Sequence, residues 1–126
     1  TYQITNVNIK NSQIINNVNT FQGAGNLIYM HDYASVNIEN TLIADNEAGV
    51  IHQATSDAFG AHLSLNEVTM TGNMSSDGTA SGIKITSSSS GTGGYTNISN
   101  SIIYDSILQI KLSSGVLIFA TVAEPC

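Results

Sequence analysis

Apolar and polar residues alternate along four segments that align with one another without gaps. The segments are 7–17 (VNIKNSQIINN), 36–46 (VNIENTLIADN), 63–73 (LSLNEVTMTGN) and 96–106 (TNISNSIIYDS). An alternation with a period of two residues predicts β-strands that bury one face. The segments start 29, 27 and 33 residues apart, so the sequence predicts a repeat whose insertions fall in the corners between strands.

Two apolar positions are kept in every repeat. One is occupied by Ile9, Ile38, Leu65 and Ile98, and the other by Ile14, Ile43, Met70 and Ile103. Stacked strands place equivalent residues about 4.8 Å apart. We therefore expect like side chains to lie on one another in two inward columns that fill a common core.

A further short strand is predicted after each unit, following a Gly-containing turn, at 27–30, 50–53, 83–86 and 108–112. Three strands per repeat predict an all-β fold, a right-handed parallel β-helix (solenoid) of about four coils plus a partial fifth. Repeat units start near 7, 36, 63 and 96, and the partial fifth near 116, where Val116 and Ile118 align with Val36 and Ile38. We expect residues 1–126 to form a single segment of a longer solenoid.

Polar residues also recur at fixed positions. Asn17, Asn46 and Asn73 close three repeats, with Ser106 in the fourth, and a second column contains Asn11, Asn40 and Asn100 and is interrupted by Glu67. Asn tolerates the left-handed backbone of a sharp corner, and stacked amides bond to one another. We interpret both columns as structural rather than catalytic.

The pattern NIxNSxIxxN, followed by a Gly-containing turn and an aliphatic strand, resembles the parallel β-helix repeat family of the pectin-lyase-like fold. The stretch 40–49 (NTLIADNEAG) in particular is similar to repeats of polymorphic outer-membrane proteins and other large cell-surface proteins. The resemblance covers about residues 7–122 and implies the fold. It leaves the function open, because such repeats also build pectate lyases, polygalacturonases, epimerases and phage tailspikes.

Charge excludes some classes of partner. The net charge is −6, the only Lys or Arg residues are Lys10, Lys84 and Lys111, and charged residues make up 10% of the chain. Nucleic-acid binding requires clustered cations, as does binding to an anionic membrane surface, so we expect neither. No apolar run reaches the roughly 18 residues of a membrane span.

The longer corners provide the candidate binding site. Residues 31–35, 54–62 and 87–95 connect the third strand to the next repeat, and stacking places them on one edge. Loops on a rigid scaffold often carry function, and aromatic rings beside hydrogen-bonding groups suit sugars. The residues expected to converge there are His31, Asp32, Tyr33, Asp57, Phe59, His62 and Tyr95.

An active site within the chain is not predicted, although an enzyme is not excluded. A lyase needs a base and a cation beside its carboxylate substrate, and a hydrolase needs two carboxylates at a fixed gap. Asp45 and Asp105 are expected two coils apart, about 10 Å along the stack. We predict no catalytic residue, metal or cofactor. Alternation with Val50 predicts that His52 points inward as a core or edge residue.

Two sequons, at Asn73 and Asn97, are potential N-glycosylation sites in a eukaryotic secreted protein. The leading hypothesis is a structural or adhesive module of a secreted or cell-surface protein or extracellular filament. Its expected partners are a neutral glycan, a protein, or further coils or copies stacked at both ends. The alternative is the scaffold of a carbohydrate-active enzyme with its active site elsewhere.

Overall fold

The alternating segments form parallel β-strands throughout the computed structural model, which describes residues 3–19, 26–56, 59–75, 81–87, 94–111 and 120–122. No helix occurs in these ranges. The strands are β1 (Thr5–Lys10), β2 (Gln13–Ile15), β3 (Asn26–Met30), β4 (Ala34–Ala44), β5 (Gly49–Thr55), β6 (His62–Thr71), β7 (Ile83–Ser87), β8 (Tyr95–Ser99), β9 (Ile102–Ile103), β10 (Ile107–Lys111) and β11 (Ala120–Val122). The protein is therefore all-β in its described part, as the alternation predicts.

The strands belong to two parallel sheets, and the chain passes from one to the other and back. The large sheet has the order β1-β4-β6-β8-β11, with β2 beside β4 and β9 beside β6, and the small sheet has the order β10-β7-β5-β3. All pairings between named strands are parallel. Each strand thus pairs with the strand one repeat away, an arrangement consistent with a β-solenoid.

The register places equivalent residues of the repeats side by side. Ile38 pairs with Ile9 on one side and with Leu65 on the other, and Leu65 pairs with Ile98. The second column, formed by Ile14, Ile43, Met70 and Ile103, is also in register. Both predicted columns are confirmed, and their central members are at most 1% exposed.

The small sheet completes the core from the opposite side. Its inward column consists of Ile28, Ile51, Ile83 and Ile107, which pair in that order. Ile51 and Ile83 are fully buried and belong to the same apolar cluster as Ile38, Leu65 and Ile98. The four predicted third strands therefore correspond to β3, β5, β7 and β10.

In the two central repeats the strand of the large sheet bends without breaking. In β4 and β6 the strand continues through one residue with positive φ, 47° at Asn40 and 56° at Glu67. Pairing between the two strands resumes directly after these residues, at Thr41 and Val68. Three separate strands per repeat are therefore found in the first repeat (β1, β2 and β3) and in the fourth (β8, β9 and β10), whereas β4 and β6 each join two predicted strands.

The partial fifth repeat begins later than predicted. Ala120 pairs with Thr96, and Val122 pairs with Ile98. The position assigned to Ile118 is thus taken by Val122, four residues further on, while Val116 and Ile118 lie outside the described residues. Alternation has a period of two, so it fixes which face a residue occupies but not registers that differ by an even number.

Replacing Leu65 by Ala tests the inward column. Leu65 is fully buried, and removing its side chain is expected to lower the free energy of unfolding by about 2–5 kcal/mol. The adjacent Ser64 lies on the outer face of β6 and is partly exposed, so Ser64→Ala should change it by less than about 0.5 kcal/mol. Urea unfolding of the two variants measures the contrast, and equal effects would contradict the assigned faces.

Candidate functional site

A ladder of asparagine amides, exposed at Asn17 and buried at Asn46 and Asn73, follows the corner after the large sheet. Asn17 Nδ2 donates to Asn46 Oδ1 at 2.8 Å, and Asn46 Nδ2 donates to Asn73 Oδ1 at 2.6 Å. Backbone N–H groups of Asn17 and Asn46 donate to the same oxygens. Asn46 Nδ2 and Asn73 Nδ2 also donate to the carbonyls of Ile14 and Ile43, both at 3.0 Å. The ladder therefore runs in one direction and ties each corner to its neighbours.

The ladder ends differently from the sequence-based expectation. Asp105, not Ser106, accepts from Asn73, through Oδ1 from the backbone N–H and through Oδ2 from Nδ2. Ser106 instead bonds to Ser81, its backbone N–H donating to Ser81 Oγ at 3.1 Å. The gap-free alignment of the repeats does not reveal this shift by one residue, because Asp and Ser are both ordinary corner residues.

The left-handed backbone at this corner lies one residue before the ladder. Asn16 has a φ of 55°, Asp45 of 54° and Gly72 of 70°, whereas Asn17, Asn46 and Asn73 have no positive φ. A Cβ on Gly72 would come within 2.5 Å of Asp45 Oδ1, so a larger residue there would have to displace the Asp45 carboxylate. The asparagines of the ladder consequently serve as hydrogen-bonding groups and not as the left-handed residues.

In the second polar column every member has a left-handed backbone. Asn11, Asn40 and Asn100 have φ values of 51°, 47° and 49°, and Glu67 shares this conformation. Asn40 Nδ2 donates to Asn11 Oδ1 at 2.8 Å. At the fourth repeat Asn100 Nδ2 donates to Asn66 Oδ1 at 2.9 Å, so the ladder avoids Glu67.

Four of the predicted binding residues form two stacked ring pairs on one edge. The ring centroids of Tyr33 and Phe59 are 5.4 Å apart, and those of His62 and Tyr95 are 4.2 Å apart. His62 and Tyr95 are register partners at the start of β6 and β8. Phe59 is 62% and Tyr95 47% exposed. The corner therefore presents aromatic surface to solvent, and we call these four residues the aromatic edge.

Two other predicted binding residues join the corners to each other. Asp32 Oδ1 accepts from the backbone N–H of Ser56 at 2.8 Å, and Asp32 Oδ2 accepts from the Ser56 hydroxyl. His31 Nδ1 lies 3.3 Å from Asp32 Oδ2. These contacts hold successive corners together, while Asp57, the remaining predicted member, lies outside the described residues.

A small apolar cavity of about 80 Å³ lies beneath the aromatic edge. Tyr33, Phe59 and His62 line it together with Ile4 and the backbone around Gly60. Its volume suits a methyl group or part of one ring rather than a large ligand. A ligand at this edge would therefore lie mainly against the exposed ring faces.

Gln53 supports the aromatic edge from inside the protein. Its Nε2 donates to the carbonyls of Ala61 at 2.6 Å and Tyr95 at 3.1 Å, and its Oε1 accepts from the Thr96 hydroxyl. The side chain is fully buried in a column between Met30 and Ile85. Sequence reasoning missed this role, although an amide at an inward position of an alternating strand is the signal that marks it.

The inward orientation expected for His52 is wrong. In β5 the buried residues around it are Ile51 and Gln53, so His52 lies on the outer face of the small sheet. Its ring meets that of Tyr29 edge-on at 5.1 Å, and its Nε2 is 2.9 Å from Thr86 Oγ1.

A polar groove of about 370 Å³ lies where the large sheet bends, on the outer surface. Three repeats line it, through Asn11, Ser12, Gln13, Asn40, Thr41, Leu42, Glu67 and Thr69. The lining consists of the left-handed residues Asn11, Asn40 and Glu67, which turn the strands, and of residues that follow them. Sequence reasoning missed the groove; the interruption of the Asn column by Glu67 was its signal.

The two sequons have different environments. Asn73 is 4% exposed, and its amide is committed to the ladder. Asn97 is exposed on the outer face of β8. A glycan on Asn73 is incompatible with this fold, whereas a glycan on Asn97 would project into solvent.

No three His, Cys, Asp or Glu side chains within the described ranges cluster in a way that could hold a metal ion. Asp45 occupies the left-handed corner position and Asp105 the end of the ladder. Lys10 is paired with Glu39 at 2.6 Å.

No protein-family model matches the chain, and comparisons with curated proteins and with solved structures also return no match. Among the described residues, no helix has the length and hydrophobicity that a membrane crossing requires.

Replacing Asn46 by Ala tests the buried ladder. The change removes Asn46 Oδ1, which accepts from the amide and the backbone N–H of Asn17, and Asn46 Nδ2, which donates to the carbonyl of Ile14. Oδ1 of Asn73 loses one of its two donors and keeps the backbone N–H of residue 46. Each polar group left buried without a partner costs about 1–3 kcal/mol. Asn37→Ala is the matched control, since Asn37 makes one exposed amide bond, to Asn8. Thermal unfolding should show a large loss for Asn46→Ala and less than about 1 kcal/mol for Asn37→Ala.

Secretion from a eukaryotic cell tests the sequon assignment. Folded, secreted protein should carry a glycan at Asn97 and none at Asn73, because only the Asn97 amide is accessible. Peptide mass spectrometry after enzymatic glycan release measures the occupancy of each site. A natively folded fraction with glycosylated Asn73 would contradict the buried ladder.

Proposed function

We propose that the chain is a segment of a right-handed parallel β-helix that serves as a structural or adhesive module of a secreted or cell-surface protein or extracellular filament. The alternation of the chain between two parallel sheets supports this fold. Columns of like residues in register support it further. Such a stack is rigid along its length and presents its corners as a continuous edge.

The aromatic edge is the observation that carries the adhesive role. It combines two exposed ring pairs with backbone fixed by the strands below and by buried Gln53. Aromatic surface held rigidly loses little conformational freedom when a ligand covers it. A sugar ring, with one apolar face and hydrogen-bonding edges, fits this combination.

The proposed ligand is a neutral glycan or a protein partner. A chain with a net charge of −6 repels anionic polymers at long range. Further repeats or a second copy are the proposed neighbours along the stack. The apolar side chains of Val7 and Ile15, 42% and 40% exposed in β1 and β2, support this.

The alternative function is that of a scaffold in a carbohydrate-active enzyme. The polar groove favours it, because Glu67 places one carboxylate there. Glycoside hydrolysis uses two carboxylates flanking the bond, and Glu67 is the one Asp or Glu among the residues that line the groove. In this alternative the chain therefore supports a reaction carried out elsewhere.

Removing rings from the aromatic edge tests the adhesive role. Tyr33→Ala with Tyr95→Ala should weaken binding of neutral oligosaccharides by up to about tenfold for each ring, the equivalent of about 0.5–1.5 kcal/mol per stacked contact. Glycan-array binding and sedimentation velocity should be measured on the same preparations, so that ligand binding and self-association are separated.

Tyr104→Ala is the control, because Tyr104 is 80% exposed away from this edge. It should leave both properties unchanged. A folded Tyr33 and Tyr95 double variant with unaltered glycan binding and unaltered self-association would leave the edge without an adhesive role.

A further inference from the structure

The polar groove at the bend of the large sheet spans three repeats. It has a volume of about 370 Å³ and crosses the levels of Asn11, Asn40 and Glu67. Neighbouring levels are about 4.8 Å apart, a spacing comparable to that of successive rings in an extended sugar chain. The groove is thus long enough for a short stretch of polymer and sits on rigid strands rather than on loops.

Glu67 is an unfavourable residue for the position that it occupies. Its backbone is left-handed, with a φ of 56°, a conformation that Asn adopts more readily than Glu. It also interrupts the amide column, since Asn40 and Asn100 bond to Asn11 and Asn66 instead. Residues that break a local rule without a structural gain mark functional positions.

The carboxylate of Glu67 has no hydrogen bond or ion pair among the described residues, and its side chain is exposed. Around it the groove offers the carbonyl oxygen of Asn40, the amide of Gln13 and the hydroxyl of Thr69. These groups donate and accept hydrogen bonds in several directions. Leu42 adds an apolar patch to the same wall.

This chemistry selects a neutral, hydroxyl-rich ligand. Neither Lys nor Arg lines the groove, so an anionic chain would meet Glu67 without compensation. A Ca²⁺ ion takes six to eight oxygen ligands, usually from several carboxylates, and the groove provides one. A carboxylate, in contrast, accepts two hydroxyl hydrogens at once and forms strong charge-assisted bonds.

We propose that the polar groove binds a neutral glycan as an extended chain, with Glu67 accepting hydrogen bonds from two hydroxyls of one sugar. Asn40 and Gln13 bond to the neighbouring sugar, and Leu42 contacts its apolar face. This binding site is separate from the aromatic edge and does not depend on it.

Glu67→Asn is the decisive variant, because it separates folding from binding. Asn suits the left-handed backbone and restores the amide column, so the free energy of unfolding should stay the same or rise. The charged acceptor is lost, so glycan binding in the groove should weaken about tenfold or more. Glu67→Gln keeps the side-chain length and should weaken binding similarly.

Glu47→Gln is the matched control. It removes one exposed carboxylate outside the groove and should leave binding unchanged. The Tyr33 and Tyr95 alanine variants should also retain binding in the groove. The experiment can therefore contradict the role proposed for the aromatic edge without contradicting the role proposed for the groove, and the reverse.

Side-chain amide NMR provides the readout. Neutral tetrasaccharides of β-linked glucose, α-linked glucose, mannose and xylose are titrated separately into isotopically labelled protein. At least one should shift the side-chain amide signals of Asn11, Gln13 and Asn40, and the shifts should be lost in Glu67→Asn. The proposal is overturned if none shifts them, if Glu67→Asn binds as well as the original chain, or if Ca²⁺ alone produces the same shifts.

Discussion

The parallel register between repeats is the constraint on which the structure depends. It places every side chain beside its equivalent, about 4.8 Å away, so each column must be compatible with itself. Aliphatic residues satisfy this in the columns through Ile38 and Ile51. Amides satisfy it at the corner, because one amide both donates and accepts. A charged residue could not stack on its own equivalent in the aliphatic columns or in the amide ladder. The one carboxylate in the described part of the ladder, Asp105, lies at its end.

The amide ladder also explains why one register wins over the alternatives. A slip by one residue would turn Asn46 away from its partners and expose Ile43. A shift of the strand register by two residues would leave the same residues facing inward. Apolar packing alone therefore favours the observed register only weakly over this one. The direct bonds from Asn46 to Asn73 and to the carbonyl of Ile14 exist in one register only. Hydrophobic burial therefore determines which face of each strand points inward, and the amide ladder determines the register between neighbouring repeats.

Much of the fold could be predicted from the sequence because these rules are local and periodic. Alternation gave the strands and the two inward columns of the large sheet, although it put His52 on the wrong face of β5. It did not give the start of the fifth repeat, since Val122 and Ile118 differ by an even number of residues and satisfy the same pattern. The aromatic edge followed from loop position, whereas the groove did not, because one left-handed residue at Asn40 or Glu67 reshapes an otherwise regular strand.

Function in such a stack is expected where a column stops being uniform. Uniform columns are explained by packing or by ladders and need no ligand. At the start of the large-sheet strands, Ser35 gives way to His62 and Tyr95, and at the bend Asn40 gives way to Glu67. Neither change improves the core, and both place ring faces or a charge at the surface. The departures from the repeat are thus the surfaces at which we propose that recognition occurs.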